Sequence, residues 1–262
     1  MQIFSKLKDK LKGKPVDTSL RVIRLDEVDS TNNYLRQYHP SDEEQMVVAV
    51  AEHQTAGRGQ GTNSWESEAG QNLTFSVLTR PTWVPVARQF LLSEAGALAL
   101  KDVLDTYTDG IRLKWPNDIY WHDRKLSGTL IELNVSQRGI SRCVFGVGLN
   151  VNQRTFVSDA PNPVSLAQIL GKDVDKEQLL EQLIASFRRY SDLTLNGAYM
   201  DIAAMYHEAL YRSGDYYPFR DKDGEFMGRI FEVEDDGHLL LHDKQGVIRR
   251  YAFKEVEFVI NQ

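Results

Sequence analysis

Several things are scarce in this 262-residue chain. It has a single cysteine, Cys143, so no disulfide can close within it and a disulfide-stapled scaffold is excluded. That suits a reducing, cytoplasmic setting. A lone thiol just ahead of a glycine-bearing strand is more simply a small buried apolar residue than a nucleophile. No run is long and apolar enough to cross a membrane, and the N-terminus lacks the apolar core of a signal peptide. Basic charge is not in excess. Lys and Arg number 31 against 37 Asp and Glu, a net charge of −6, so the chain as a whole is not built to bind nucleic acid. The six histidines, His238 and His242 included, show no zinc-like spacing with cysteine and read as surface residues. What is present is 42% hydrophobic residues, enough for a true core, at a length that allows one sizeable domain and one small one.

Four segments carry candidate chemistry. The first is Lys114-Trp115-Pro116-Asn117-Asp118 followed by Lys125-Leu126-Ser127-Gly128. Ile111 to Lys114 and Ile119 to Trp121 read as strands, His122-Asp123-Arg124 as a tight turn, and Lys125 to Leu133 as the returning strand. Pro116 fixes the backbone between the first two pieces. A cation on a rigid hairpin is a natural partner for a carboxylate or phosphate. The second segment, Gln54-Thr55-Ala56-Gly57-Arg58-Gly59-Gln60-Gly61, follows an apolar strand over Val47 to Glu52 and precedes another over Asn72 to Leu78. Its glycines let backbone approach a ligand, and Arg58 offers a planar fork of donors. The spacing is neither a Walker A loop nor a Rossmann turn. Taken alone, a flexible turn with a solvated arginine fits it equally well.

In the third segment, Asp29-Ser30-Thr31-Asn32-Asn33, Ser30 or Thr31 caps a helix running to about Gln37 after a strand over Arg21 to Leu25. The free N–H groups at that start can hold a polar or anionic ligand group, although most such clusters are only caps. The fourth is Gly146-Val147-Gly148-Leu149-Asn150-Val151. Strand alternation puts Phe145, Val147, Leu149 and Val151 on one face, and Gly146, Gly148 and Asn150 on the other. A glycine face suits a ligand or another backbone lying against it, or a crowded sheet crossing.

Helical periodicity marks Val86 to Leu104, a helix starting near Asp175 through Phe187, and another through Ile202, Tyr206, Ala209 and Leu210. Beyond Gly214 the turns Asp223-Gly224, Asp236-Gly237 and Gln245-Gly246 separate five short strands. They lie near Tyr216 to Arg220, Phe226 to Glu234, His238 to His242, Val247 to Phe253 and Val256 to Ile260. The expected fold is α+β, a mixed β-sheet with packed helices, followed by a small five-stranded barrel. The expected division is a basic tail over 1–18, a main domain over 19–212 and a small domain over 213–262. The tail, with Phe4, Leu7 and Leu11 at helical spacing, reads as a solvated segment or a short helix for an acidic surface.

In their order and spacing, S-T-N, Q-x-A-G-R-G, K-W-P-N-D, K-L-x-G and G-x-G-x-N resemble the biotin protein ligases, from about Val22 to the C-terminus. The resemblance implies a catalytic domain of the class II aminoacyl-tRNA synthetase-like type and an SH3-like C-terminal barrel. It implies a biotin pocket lined by Ser30, Thr31, Asn32, Gln54, Gly57, Arg58, Gly59, Gln60, Lys125, Gly128 and Gly148. It implies an ATP site of Arg58, Trp65, Lys114, Asn117, Asp118, Lys125 and Asn150. Arg58 and Lys125 are then the catalytic pair, with Mg2+ held mostly by ATP and water while Lys114, Asn117 and Asp118 help hold the nucleotide and its metal. Biotin carboxylate would attack the α-phosphate, and a lysine of a biotin carboxyl carrier domain would then attack the mixed anhydride. The family loop often has a further arginine where this chain has Gln60, which predicts weaker retention of the adenylate. The short segment before the catalytic domain implies no operator binding, and the resemblance leaves monomer or homodimer open. Two alternatives stay in view: a lipoate or octanoate ligase or transferase of the same fold, and a non-catalytic biotin-binding module.

Overall fold

The computed structural model describes residues 19–137, 139–157 and 162–260. The basic tail expected over 1–18 lies outside them. The chain runs β1 (Ser19–Val28), α1 (Thr31–Gln37), β2 (Glu44–Gln54), β3 (Leu73–Thr79), α2 (Leu91–Leu104), β4 (Ile111–Lys114), β5 (Asp118–Trp121), β6 (Arg124–Ser136) and β7 (Gly139–Leu149). Then come α3 (Leu166–Leu170), α4 (Lys176–Leu195), α5 (Tyr199–Ala209), β8 (Tyr217–Asp221), β9 (Gly224–Val233), β10 (Leu239–Asp243), β11 (Ile248–Tyr251) and β12 (Glu257–Phe258).

The first seven strands form one sheet in the order β1-β2-β3-β7-β6-β5-β4. β1 and β2 are parallel and the other ladders antiparallel, so the sheet is mixed as expected. β2 is buried continuously from Met46 to Ala51, the pattern of a central strand covered on both faces. One face is fully covered: Val48, Val50, Phe75, Val77 and Phe145 pack with Leu98, Leu183 and Phe187 of α2 and α4. The other face carries Leu35 of α1 over Val47, Ala49, Leu78 and Val144. α1 has only seven residues and cannot cover that face. Beside it the floor is the glycine stretch of β7, Gly146 and Gly148, and there the cavity opens.

Local chemistry sets most helix ends. The Asp175 carboxylate accepts the N–H groups of Glu177 and Gln178 and starts α4 where expected. The helix expected from Val86 begins only at Leu91, after a separate 3-10 turn over Val86–Arg88. α3 was not anticipated, since its five residues are too few to show a period. It is fixed instead by a Ser165/Gln168 capping box and by Gly171 at φ 72.

The five C-terminal strands fall within a few residues of their expected places. They form an antiparallel sheet in the order β11-β10-β9-β8-β12. The expected barrel is corrected here: among the described residues no ladder joins β11 to β12, and the sheet stays open. β12 spans two residues and pairs only with Arg220 and Phe219 of β8, too short an edge to close a ring. This sheet docks on the larger one. The Trp115 indole N–H donates to Gly237 O at 2.9 Å, and Phe90 N–H donates to Asp235 O at 3.3 Å. Gly237 has φ 94, and a Cβ there would lie 2.6 Å from the Phe90 ring. Glycine is therefore required at that contact twice over.

Candidate active site

A cavity of about 680 Å3 sits over the uncovered part of the sheet. It gathers Ser30, Thr31, Asn32, Gln54, Arg58, Gly59, Gln60, Trp65, Lys114, Asn117, Asp118, Lys125, Gly128 and Gly148, nearly every expected site residue, from segments far apart in sequence. Gly57 and Asn150 are the exceptions. Gly57 shapes the cover loop: its carbonyl accepts Trp65 N–H at 2.9 Å, and a Cβ would meet Trp65 O at 2.5 Å. β7 ends at Leu149, so strand alternation no longer aims Asn150 at the glycine face. Asn150 is instead buried and donates its amide to Val164 O at 3.1 Å.

A hydrogen-bond chain lines the inner wall. Ser30 caps α1, but its side chain makes no capping bond. The first helical N–H is not free for an anion either, because Thr31 N–H donates to Gln54 Oε1 at 2.8 Å. Thr31 and Ser76 hydroxyls lie 2.7 Å apart, and Ser76 donates to Asn32 Oδ1 at 2.6 Å. Asn32 Nδ2 then donates to Leu130 O and, at 2.9 Å, to Glu132 Oε2. Asn32 is 3% exposed, so every polar atom of its amide is spent inside the protein. The glycine strand explains itself here. A methyl group on Gly146 would overlap the Asn32 amide, and one on Gly148 would overlap the Trp65 indole. The expected occupant of that face was a ligand or a backbone; the structure puts two side chains there.

The two expected cations both line the cavity, and each is held by a carboxylate. Lys125 Nζ is 2.7 Å from Asp118 Oδ1, the strand end it was expected to face. Arg58 Nη1 donates to Asn33 Oδ1 at 3.0 Å and to Glu132 Oε1 at 3.1 Å. Lys114 differs. Half-buried, it lies 5.3 Å from the Tyr120 ring centroid and 4.8 Å from that of Phe258. Burial lowers its pKa below the usual lysine range, with Asp118 pulling the other way. Asn117 clamps the turn, donating from Nδ2 to Thr129 O at 2.7 Å. Buried Gln60 Oε1 and Trp65 Nε1 have no hydrogen-bond partner among the described residues. A buried donor and acceptor left unpaired beside a cavity are what a bound polar molecule can satisfy.

Glu132, Ser76, Tyr120 and Phe258 were missed from sequence. Two of them left a signal. Glu132 lies four residues beyond Gly128 on β6, on the same face by period two, and Ser76 is a polar residue inside an otherwise buried strand. Phe258 belongs to the second sheet and left none.

Among the described residues Asp118 is the one carboxylate on the cavity lining, ion-paired with Lys125. One carboxylate is too few for a metal held by protein ligands alone, whereas one carboxylate beside substrate phosphates is a usual setting for Mg2+. Elsewhere Glu234, Asp236 and His238 have ligand atoms within 4.8 Å of one another. Arg250 bridges Glu234 at 2.6 Å and Asp236 at 2.8 Å, so this is an ion-pair cluster rather than a metal centre. His238 and His242 are half-buried rather than surface residues, and His242 Nδ1 lies 2.9 Å from Tyr216 Oη. Cys143 is buried with its thiol pKa pushed up to about 12, an inert core residue as expected.

Fold and cavity define an α+β ligand-binding domain whose polar, cation-lined pocket is closed by a glycine-rich cover. Comparison with known proteins makes the class specific. Residues 25–150 match the biotin/lipoate A/B protein ligase family. The biotin--[acetyl-CoA-carboxylase] ligase of Mycobacterium tuberculosis is 32% identical over 203 residues, covering 74% of this chain and 73% of that protein. The bifunctional ligase/repressor BirA of Bacillus subtilis is 27% identical over 241 residues, 88% of this chain and 72% of its own length. The biotin protein ligase of Aquifex aeolicus, solved with biotin and ATP, superimposes with a TM-score of 0.74 at 26% identity, covering 91% of this chain and 99% of that one. This chain belongs to the biotin/lipoate A/B protein ligase family.

Proposed function

We propose that the chain is an ATP-dependent ligase that activates biotin as biotinyl-5'-AMP and transfers it to a lysine of a biotin carboxyl carrier domain, such as that of acetyl-CoA carboxylase. One observation carries this reading: a single cavity collects the S-T-N helix start, the Arg58 loop, the Lys114 and Lys125 hairpin and the glycine strand. The named relatives support biotin over lipoate. The two sheets are read as two domains dividing near residue 212, in a protein of the cytoplasm. No described helix is long and apolar enough to cross a membrane.

In the first half-reaction a biotin carboxylate oxygen bonds to the α-phosphorus, the bond to the β-phosphate oxygen breaks, and pyrophosphate leaves. The chain's part is position and charge. Thr31, Asn32, Gln54 and Ser30 fix the inner wall that receives the uncharged head group. Lys125 meets both the carboxylate and the α-phosphate oxygens, exchanging part of its pairing with Asp118 for them. Arg58 does the same from the cover loop by leaving Glu132. Lys114, half desolvated and with no carboxylate at contact distance among the described residues, gains most from a polyphosphate, whose charge favours the ammonium form that burial disfavours. Magnesium would be held mostly by the polyphosphate and water, with Asp118 the lining carboxylate able to add one oxygen, and it would supply charge neutralisation at the phosphates. In the second half-reaction the carrier amine bonds to the anhydride carbonyl carbon, AMP leaves with the bonding pair, and the amine loses a proton. The cover over Trp65 keeps water from the anhydride before that.

The test is pyrophosphate release on mixing the protein with ATP and either biotin or lipoate, followed by label transfer to a carrier domain. Release and transfer with biotin are expected. Release with lipoate alone would assign the chain to the other branch of its family, and release with neither would leave a non-catalytic module.

A further inference from the structure

One face of β7 meets both α1 and the cavity. By strand alternation Arg142, Val144, Gly146 and Gly148 share it. Val144 packs in one cluster with Leu35 of α1, and a methyl group on Gly146 would overlap the Asn32 amide. Arg142 meets the other end of the same helix. Its Nη1 donates to Leu35 O at 3.0 Å and to Arg36 O at 2.6 Å, and its Nη2 donates to Tyr38 O at 2.7 Å. Carbonyls at a helix end have no partner within the helix. Arg58 and Lys125 each rest on a carboxylate, whereas the Arg142 fork is spent on the helix. α1 depends on such outside contacts. Seven residues are too few for a helix to hold itself, and Ser30 makes no side-chain capping bond at its start. Yet Thr31 and Asn32 must reach Gln54, Ser76 and Glu132 to build the inner wall. Arg142 itself is not on the cavity lining.

We infer that Arg142 is a positioning residue for biotin: by clasping the C-terminal carbonyls of α1 it sets where the helix lies along β7, and so where Ser30, Thr31 and Asn32 meet the head group. The inference rests on the ligase reading. A positive charge is favoured at a helix C-terminus, and a planar fork holds two directions at once. The strand that carries the clasp also carries the glycine floor, so β7 holds helix and floor in one frame. Without the clasp α1 can tilt about Leu35. A shift of about 1 Å is enough to part wall bonds that are now 2.6 to 2.9 Å long. The nucleotide side of the site should not follow. Lys114 and Lys125 stand on the hairpin, and Arg58, bonded to Asn33 of α1, keeps its second partner Glu132.

The experiment uses the full chain. Pyrophosphate release is measured against biotin at saturating ATP and against ATP at saturating biotin, below the melting temperature of every variant. Arg142→Gln should raise the KM for biotin about tenfold, as for loss of a charge-assisted contact, and move the KM for ATP by less than about twofold. Arg142→Lys keeps a cation without the fork and should recover part of the biotin affinity. Phe187→Leu is the control for lost stability alone. It weakens the opposite face of the sheet, where Phe187 packs on Phe75 and Phe145. It should lower the melting temperature and leave both KM values in place. An unchanged KM for biotin in Arg142→Gln, an equal rise in both KM values, or the same biotin defect in Phe187→Leu overturns the inference. The wild type is judged first. No pyrophosphate from biotin and ATP refutes the ligase reading, and the inference with it, whereas a working wild type beside an unmoved Arg142→Gln refutes the inference alone.

Discussion

The cover loop and the hairpin each bring a cation to the same cavity, and each cation rests on a carboxylate. They differ in the backbone beneath. Lys125 is the second residue of β6, which pairs with β5 on one side and β7 on the other. Its own N–H donates to Asn162 O at 2.9 Å, and its carbonyl accepts Val164 N–H at 2.9 Å. The loop from Gly57 to Trp65 is a small hairpin outside the sheet. It is held by Gly59 N–H to Asn63 O at 2.7 Å, Trp65 N–H to Gly57 O at 2.9 Å, and a weaker Asn63 N–H to Gln60 O at 3.4 Å. Few buried contacts and local hydrogen bonds are the marks of a segment that opens at low cost. On the proposed reading the pair divides the work: the hairpin fixes where charge must develop, and the loop supplies charge that arrives with the ligand.

If that division holds, the largest loss follows removal of the fixed cation. Lys125→Ala should lower the rate of adenylation by about 10^3-fold, the scale of one preorganised charge stabiliser. Melting temperature should change little, because the strand keeps its backbone bonds on both sides. An adenylation rate equal to wild type would contradict the role given to Lys125. The cover should show a smaller and different effect. Arg58→Ala should slow adenylation by about 10^2-fold and also speed escape of the adenylate, since the loop loses its link to Glu132 and to the ligand together. If Arg58→Ala proves purely a rate defect with escape unchanged, the loop is as fixed as the hairpin and the contrast disappears.

The sheet was legible from sequence because its determinants are local. Alternation and turn residues placed β4, β5 and β6, and the Asp175 cap placed α4. The candidate cations were legible because Arg and Lys between glycines and on a hairpin stand out by type. Their carboxylate partners were less so. Asp118 was named for its neighbourhood to Lys125, whereas Glu132 was passed over, because a charged residue in a long strand looks like a solvated one until α1 is laid over it. The placing of Phe258 against Lys114 depends on how two separate sheets dock. No residue pattern within either segment encodes that. Asn150 shows the opposite error: alternation was carried one residue beyond the end of its strand.

The floor beneath the cover allows a finer test. Gly148→Ala places a methyl group inside the Trp65 indole, which must move. Overpacking of this kind costs about 1–3 kcal/mol when the neighbour is fixed in a core. On a loop that yields, most of that cost should vanish from stability and appear in binding. The expected result is a melting temperature within a few degrees of wild type and a KM for ATP raised about tenfold. A large stability loss with unaltered binding would mean that Trp65 is anchored as firmly as the hairpin. Gly146→Ala is the matched control: its methyl meets the Asn32 amide, which is hydrogen-bonded at both ends. There stability should fall.

The smallest expected effect concerns Gln60. Its Oε1 is buried against the cavity without a partner, on a loop whose only cation is Arg58. An amide can accept or donate a hydrogen bond but adds no net charge toward an adenylate phosphate. Gln60→Arg should therefore slow release of the biotinyl-adenylate, measured by chase of labelled intermediate in the absence of carrier. The gain should stop at about threefold, well short of the tenfold that a full charge-assisted contact can give. The reason is local electrostatics: Lys254 already stands against Gly61, so a guanidinium at position 60 meets a like charge beside it. Combining Gln60→Arg with Lys254→Ala should relieve that repulsion and slow release further than Gln60→Arg alone. Equal release rates for Gln60→Arg and the wild type would deny position 60 any part in holding the intermediate, leaving Arg58 as the only charge by which the cover differs from an inert flap.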